Sequence, residues 1–262
     1  MLVRDSGSAW QLVEQIDHAA LAGQLAAAWG AGPFASASRS LIRAAHRHDD
    51  GWALWDRCPL LNADGSPLSF LQAPVPPLLR AYQACADAVA DEDPHAGLLV
   101  SLHISGLRRG RYGRGPGSGR QALRAAEVNE DPRITRFVAD EEGRQATLRK
   151  ILGLPREQEA HEYALLQLFD ILSLHFCLSD LDAGQGRVFD RVATVAGAAD
   201  SSLELTPHAP RHIRVEPWPF GQRPLRLSLR RRQLPREHFT DVEALRAAWT
   251  RTVPEVVPIE LI

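Results

Sequence analysis

Apolar residues recur at helical spacing through roughly the first 180 positions, then alternate with polar ones after about residue 200. The opening MLVRDSGSAWQLVEQ reads as strand, turn, strand, with the turn at Asp5-Ser6-Gly7-Ser8. Asp17 stands where a cap would for a helix from His18, along which Leu21, Ala22, Leu25 and Trp29 share a face. A second helix is predicted from Ser38 to about Asp50 and a third from about Leu78 to Val89. A proline-rich connection over 59–77 separates them. Asp93-Pro94 is a cap followed by proline in the first turn, and opens the helix of HAGLLVSLHISGL. After it come RRGRYGRGPGSGRQ and a charged helix or helix pair over about 131–150. The longest helical pattern, His161 to Leu181, is apolar almost all round, which marks a helix at the centre of a bundle.

Nearer the carboxyl end, SLELTP, HIRVEPWPF, LRLSLRRRQLP and EVVPIELI are predicted strands between proline turns. Thr240 with Glu243 makes a capping box for the helix of DVEALRAAW. The expected fold is a single domain, 1–262, and mainly α. A helical core over about 16–182 carries a small β-sheet, formed by the N-terminal hairpin (about 1–15) and the C-terminal strands (about 200–262).

Composition narrows the setting. Hydrophobic residues make up 45% of the chain and charged ones 24%, as in soluble globular proteins. A net charge of −2 gives no reason to expect nucleic acid or an acidic membrane surface as partner. Cys58, Cys85 and Cys177 are far apart, which argues against a disulfide framework or a cysteine-rich zinc site and suits a reducing cytoplasm. The start has no apolar signal region, and no run of about 18 apolar residues could span a bilayer. A cytoplasmic protein is expected. Lys150 is the only lysine among 30 basic residues, which reads as GC-rich, bacterial coding.

The stretch AAHRHDDGWALWD, Ala44 to Asp56, sets His48 and Asp49 side by side on a segment rich enough in alanine and tryptophan to be buried. Buried ionisable neighbours need partners. Leu41, Ala45, His48 and Trp52 share one helical face, with Asp49 about 100° further round and His46 turned away. His18 lies on the inward side of its helix, His103 shares a stripe with Leu99, and Asp170 sits in the apolar stripe of Tyr163, Leu166, Leu174 and Cys177. Neutral imidazoles with carboxylates form a ligand set for zinc, iron or manganese. The competing readings are a His48-Asp49 pair without an ion, a salt bridge from Asp170 to an arginine, and a His103 satisfied by a carbonyl.

The order His18, His48-Asp49, Asp170, spread over separate helices, resembles the HD-domain superfamily of metal-dependent phosphohydrolases, and HDDG resembles its HD-x-G form. MLVRD, QIDHAALAGQL, HDDGW, AGLLVSLHISGL, FDILSLHFC and PWPF together resemble an uncharacterised bacterial family of unknown function, nearly end to end. The HD resemblance implies an HD-like helical bundle. It also implies one or two divalent ions (iron, manganese, zinc or magnesium) held by His18, His48, Asp49 and Asp170, with His103 extending the site. The implied activity is hydrolysis of a small phosphate ester or nucleotide. Alternatives are an HD-fold diiron oxygenase and a non-catalytic, metal-stabilised binding or sensor module. Asp50 is the candidate general base. Arg109 and Arg111, in the glycine- and arginine-rich stretch, are candidates to bind the substrate phosphate as a lid, against the plainer reading of a solvated loop.

Overall fold

The computed structural model describes residues 1–109, 131–183, 186–195 and 201–262. A hairpin, β1 (Leu2–Asp5) and β2 (Ala9–Val13), leads into α1 (Gln15–Ala28), α2 (Arg39–Arg47) and the short α3 (Ala53–Asp56). Then come α4 (Val75–Glu92), α5 (Pro94–Arg108), α6 (Pro132–Leu152) and α7 (Arg156–Leu178). Strands β3 (Arg187–Val192), β4 (Ser201–Ala209), β5 (His212–Glu216) and β6 (Leu225–Pro235) follow, then α8 (Val242–Arg251) and β7 (Glu255–Leu261).

Helix ends show where local signals suffice and where they do not. Asp93 caps α5, accepting from the backbone N–H groups of His95 and Ala96 ahead of Pro94. Asp17 does not cap α1, which begins earlier, at Gln15, with Glu14 in the cap position and its side chain making no cap hydrogen bond. Its first N–H, buried, is met from a distance: Asp56, 41 residues on, accepts from the Gln15 N–H at 2.5 Å and also pairs with the Met1 amino group. Asp241, not Thr240, caps α8 by accepting from the Ala244 N–H.

The expectation of a mainly helical bundle with a small sheet is wrong. The described residues are 51% helix and 22% strand, a mixed α/β fold. Seven strands form one sheet in the order β1-β2-β6-β7-β5-β4-β3, antiparallel except for the parallel pair β5 and β7. The physical reason is β6, whose 11 residues are long enough to pair with two neighbours. Its first part registers with β7, from Leu225 against Leu261 to Arg231 against Glu255, and its last part with β2, where Trp10 faces Leu234. Strand β3, RVFDRV, gave no alternating apolar signal, and it forms the far edge.

β6 also divides the core. Leu225, Leu227 and Leu229 face the helices, and after Arg231 the alternation slips, so that Leu234 joins Trp10, Leu12, Leu245 and Trp249 in a smaller cluster under α8. The main cluster runs from the sheet face into α1, α2, α4, α5 and α7. Helix α7 packs against α1, α2 and α5 together, which is why it is apolar almost all round. Gln24 ties α1 to the sheet, donating to the Ser228 carbonyl at 3.0 Å and accepting from the Ser228 N–H at 2.9 Å. Among the described residues, no helix is long and apolar enough to cross a membrane.

Two glycines test this packing in opposite directions. A Cβ on Gly97 of α5 would stand 2.5 Å from the Ala90 Cα of α4, whereas one on Gly143 of α6 would meet nothing within 4 Å. Gly97→Ala should therefore lower unfolding stability by about 1–3 kcal/mol through forced separation of α4 and α5. Gly143→Ala should raise it by about 0.5–1 kcal/mol through helix propensity. Urea midpoints of the two variants against the parent check both signs.

Candidate metal centre

Four helices deliver the candidate ligands to one place. His18 comes from α1, His103 from α5 and Asp170 from α7, while His48 is the residue at the C-terminal cap of α2. The Ser38 side chain starts α2 by accepting from the Leu41 N–H, and the helix ends at Arg47, earlier than the sequence pattern suggests. Asp49 therefore reaches the cluster through a break in the helix, not by helical rotation: its φ is −119° and its ψ 14°. Gly51 fits this turn against α4. Its N–H donates to Cys85 Sγ at 3.0 Å, and a Cβ there would stand 2.0 Å from the Ala81 carbonyl oxygen. The HDDG pattern is thus explained by close backbone approach.

All five side chains are buried. The His18 and His48 Nε2 atoms are 3.2 Å apart, and Asp170 Oδ1 lies 2.9 Å from the first and 3.3 Å from the second. Asp49 Oδ2 stands 3.6 Å from both nitrogens, and His103 Nε2 stands 4.0 Å from Asp170 Oδ2. The donor atoms form two overlapping groups, His18-His48-Asp49 and His48-His103-Asp170, each within 4.8 Å.

Hydrogen-bond partners assign the tautomers. His48 Nδ1 lies 2.9 Å from the Ala45 carbonyl, which only accepts, so Nδ1 carries the hydrogen. The Ser173 hydroxyl gives its one hydrogen to the Asp170 carbonyl at 2.8 Å, so it accepts from His18 Nδ1 at 2.7 Å. Both Nε2 lone pairs then point at each other and at the Asp170 carboxylate. Three acceptors facing one another need a cation or a proton between them. Ligands bound about 2.0–2.1 Å from one ion at tetrahedral angles stand about 3.3–3.4 Å apart, and the three separations among His18 Nε2, His48 Nε2 and Asp170 Oδ1 run from 2.9 to 3.3 Å. The donor set fits a transition metal.

Without an ion, protons take its place. Burial works against a charge on His48, but the Asp49 and Asp170 carboxylates outweigh it and raise its pKa to about 9. Burial also opposes ionisation of Asp170, yet hydrogen bonds from His18 and His48 hold its carboxyl well below the usual range. Burial pushes Asp49 up, and it pushes His103 down to about 3, leaving His103 a neutral imidazole. No arginine pairs with Asp170 among the described residues; its ion-pair neighbours are His18, His48 and His103.

The cluster floors a cavity of about 200 Å³ whose walls include Phe70, Leu78, Tyr82, Leu107 and Leu174. Asp50 is not part of it: its carboxylate accepts from Arg47 Nε at 2.6 Å, outside the cavity lining. Arg109 turns outward to Glu142 at 3.0 Å, and Arg111 lies outside the described residues, as does the arginine-rich stretch beyond Arg109. His46 is exposed, and His95 pairs with Glu162 at 2.6 Å, away from the cluster. Sequence reading missed Ser173, a small polar residue three places after Asp170 in an apolar helix, which is a detectable signal. Arg108, read as the first residue of an arginine-rich loop bordering the pocket, does line the cavity, but as the last residue of α5.

Residues 1–236 match the family described as Protein of unknown function (DUF3891), and the chain belongs to that family. No curated protein and no solved structure matches it. The expected likeness to a family of unknown function is thereby shown, while kinship with HD-domain proteins gains no support from the match.

Ser173→Ala removes the acceptor that orients His18, so affinity for a divalent metal should fall by about 10–100-fold with the overall fold retained. Metal titrations against a competing chelator, with circular dichroism, check this. Acidity should also matter. An ion entering the centre must expel the proton that the raised pKa of His48, about 9, keeps there at neutral pH. Apparent metal affinity should therefore rise as pH rises towards that value, with proton release visible as a dependence of binding heat on buffer ionisation enthalpy.

Proposed function

We propose that this chain is a metal-dependent hydrolase of a small phosphate ester, with a divalent ion held by His18, His48, Asp49 and Asp170. The observation that carries the reading is the triangle of acceptors, His18 Nε2, His48 Nε2 and Asp170 Oδ1, within 2.9 to 3.3 Å of one another, with His18 and Asp170 lining a cavity. The order of these residues along the chain is also the order used by HD-domain metal phosphohydrolases. A cavity beside the donors favours catalysis over a closed structural site, whose four positions would all be taken by protein.

A bound divalent ion supplies Lewis acidity and lowers the pKa of a bound water to near neutrality. The protein's part is to hold the imidazole and carboxylate donors in fixed tautomers, which Ala45 and Ser173 do through the two Nδ1 atoms. His103, neutral and beside Asp170, can extend the donor set. Leu78, Leu107 and Leu174 keep bulk water off the reacting bond. The histidine-rich donor set suits zinc, iron or manganese better than magnesium, whose sites are built from oxygen. At about 200 Å³ the cavity is smaller than the roughly 300–1,000 Å³ of pockets for drug-sized ligands, so a small ester fits it better than a nucleotide.

Metal analysis of the purified chain and phosphate release from a panel of small phosphomonoesters test the proposal. Wild type should carry a divalent transition metal, and Asp170→Ala should lose it together with about 100-fold or more of any activity. Full metal retention in Asp170→Ala overturns the ligand assignment. Metal-loaded wild type that releases no phosphate from any ester overturns the hydrolase reading.

A further inference from the structure

The acceptor cluster accounts for the floor of the cavity but not for Arg108. This arginine closes α5 five residues after His103, about 7.5 Å further along the helix axis. Its Nη2 donates to the Tyr82 hydroxyl at 3.0 Å, and its guanidinium carbon lies 5.3 Å from the centre of that ring. Its Nε is buried and makes no hydrogen bond. Among the described residues, no carboxylate stands within ion-pair distance of it, whereas Arg109, the next residue, is exposed and paired with Glu142. Two further buried atoms on the cavity wall, Gln15 Oε1 and Trp52 Nε1, also make no hydrogen bond. Buried donors left without acceptors are costly, and a guanidinium is the group best matched to a carboxylate or a phosphate.

We propose that Arg108, steadied by Tyr82, is an anion subsite of this cavity, which takes a carboxylate or phosphate group carried by a small molecule with an apolar body. The apolar body would lie along Leu78, Leu107 and Leu174, between the anion and the histidine cluster. The substrate thus carries an anionic handle distinct from the bond that reacts. The subsite stands on its own geometry, and only its part in placing a substrate for cleavage rests on the hydrolase reading.

Calorimetric titration of the full chain with hexanoate, hexyl phosphate and 1-hexanol, before and after chelation, provides the test. Either anion should bind wild type, and which of the two binds better names the handle. Arg108→Gln should weaken that binding by about tenfold or more, Arg108→Lys should weaken it less, and the affinity for 1-hexanol should not change. Metal content of Arg108→Gln should equal that of wild type. If Arg108→Gln does not fold, Tyr82→Phe, which removes only the hydroxyl, carries the same comparison with a smaller loss. Arg108-dependent binding that survives chelation upholds the subsite even if wild type proves to hold no metal. The proposal is overturned if neither anion binds wild type, or if binding vanishes on chelation yet is indifferent to Arg108→Gln, because the anion then sits on the metal.

Discussion

Two buried imidazoles turn their lone pairs towards each other and towards a buried carboxylate, and the four helices that bear on them are arranged to keep them so. Such a contact is repulsive unless positive charge enters it. A dication balances the two carboxylates, Asp49 and Asp170, charge for charge. In its absence the cluster holds a proton, as the raised pKa of His48 records. Either way α1, the end of α2, α5 and α7 bring these side chains to one place, and α7 touches the other three.

The rest of the chain serves that convergence at some distance. Asp56, buried just beyond the HDDG turn, binds both the Met1 amino group, just ahead of β1, and the first N–H of α1. One carboxylate thus couples the hairpin, the helix of His18 and the segment of His48 and Asp49. The sheet covers the helices from the other side, with Gln24 pinning α1 to β6. The C-terminal strands are therefore structural partners of the site even though none of them contributes a candidate ligand.

Much of the site was legible from residue types and spacing. His18, His48, Asp49, His103 and Asp170 were picked as inward polar residues on apolar helices, and they meet in space. Ser173 could have been added on the same grounds, since a hydroxyl one turn from Asp170 in an apolar helix needs a role. Asp50 and Arg109 illustrate the limit. Both are polar neighbours of site residues in the chain, and both turn to surface ion pairs, Asp50 with Arg47 and Arg109 with Glu142. Adjacency in sequence says little about direction once a helix has ended.

By itself the sequence determined the helices of the core, the cap at Asp93, the terminal strands and the identity of the polar residues facing inward. These depend on periodicity and on contacts a few residues apart, which the chain order contains. Tertiary structure alone decided that the strands join into one seven-stranded sheet, that α1 is capped by Asp56, that Asp49 enters the cluster from a broken helix, and that Arg108 shares a cavity with the histidines. Each of these is a meeting of segments tens to hundreds of residues apart. Its free energy comes from burial and from pairing across that distance, so no local pattern in the chain carries its signal.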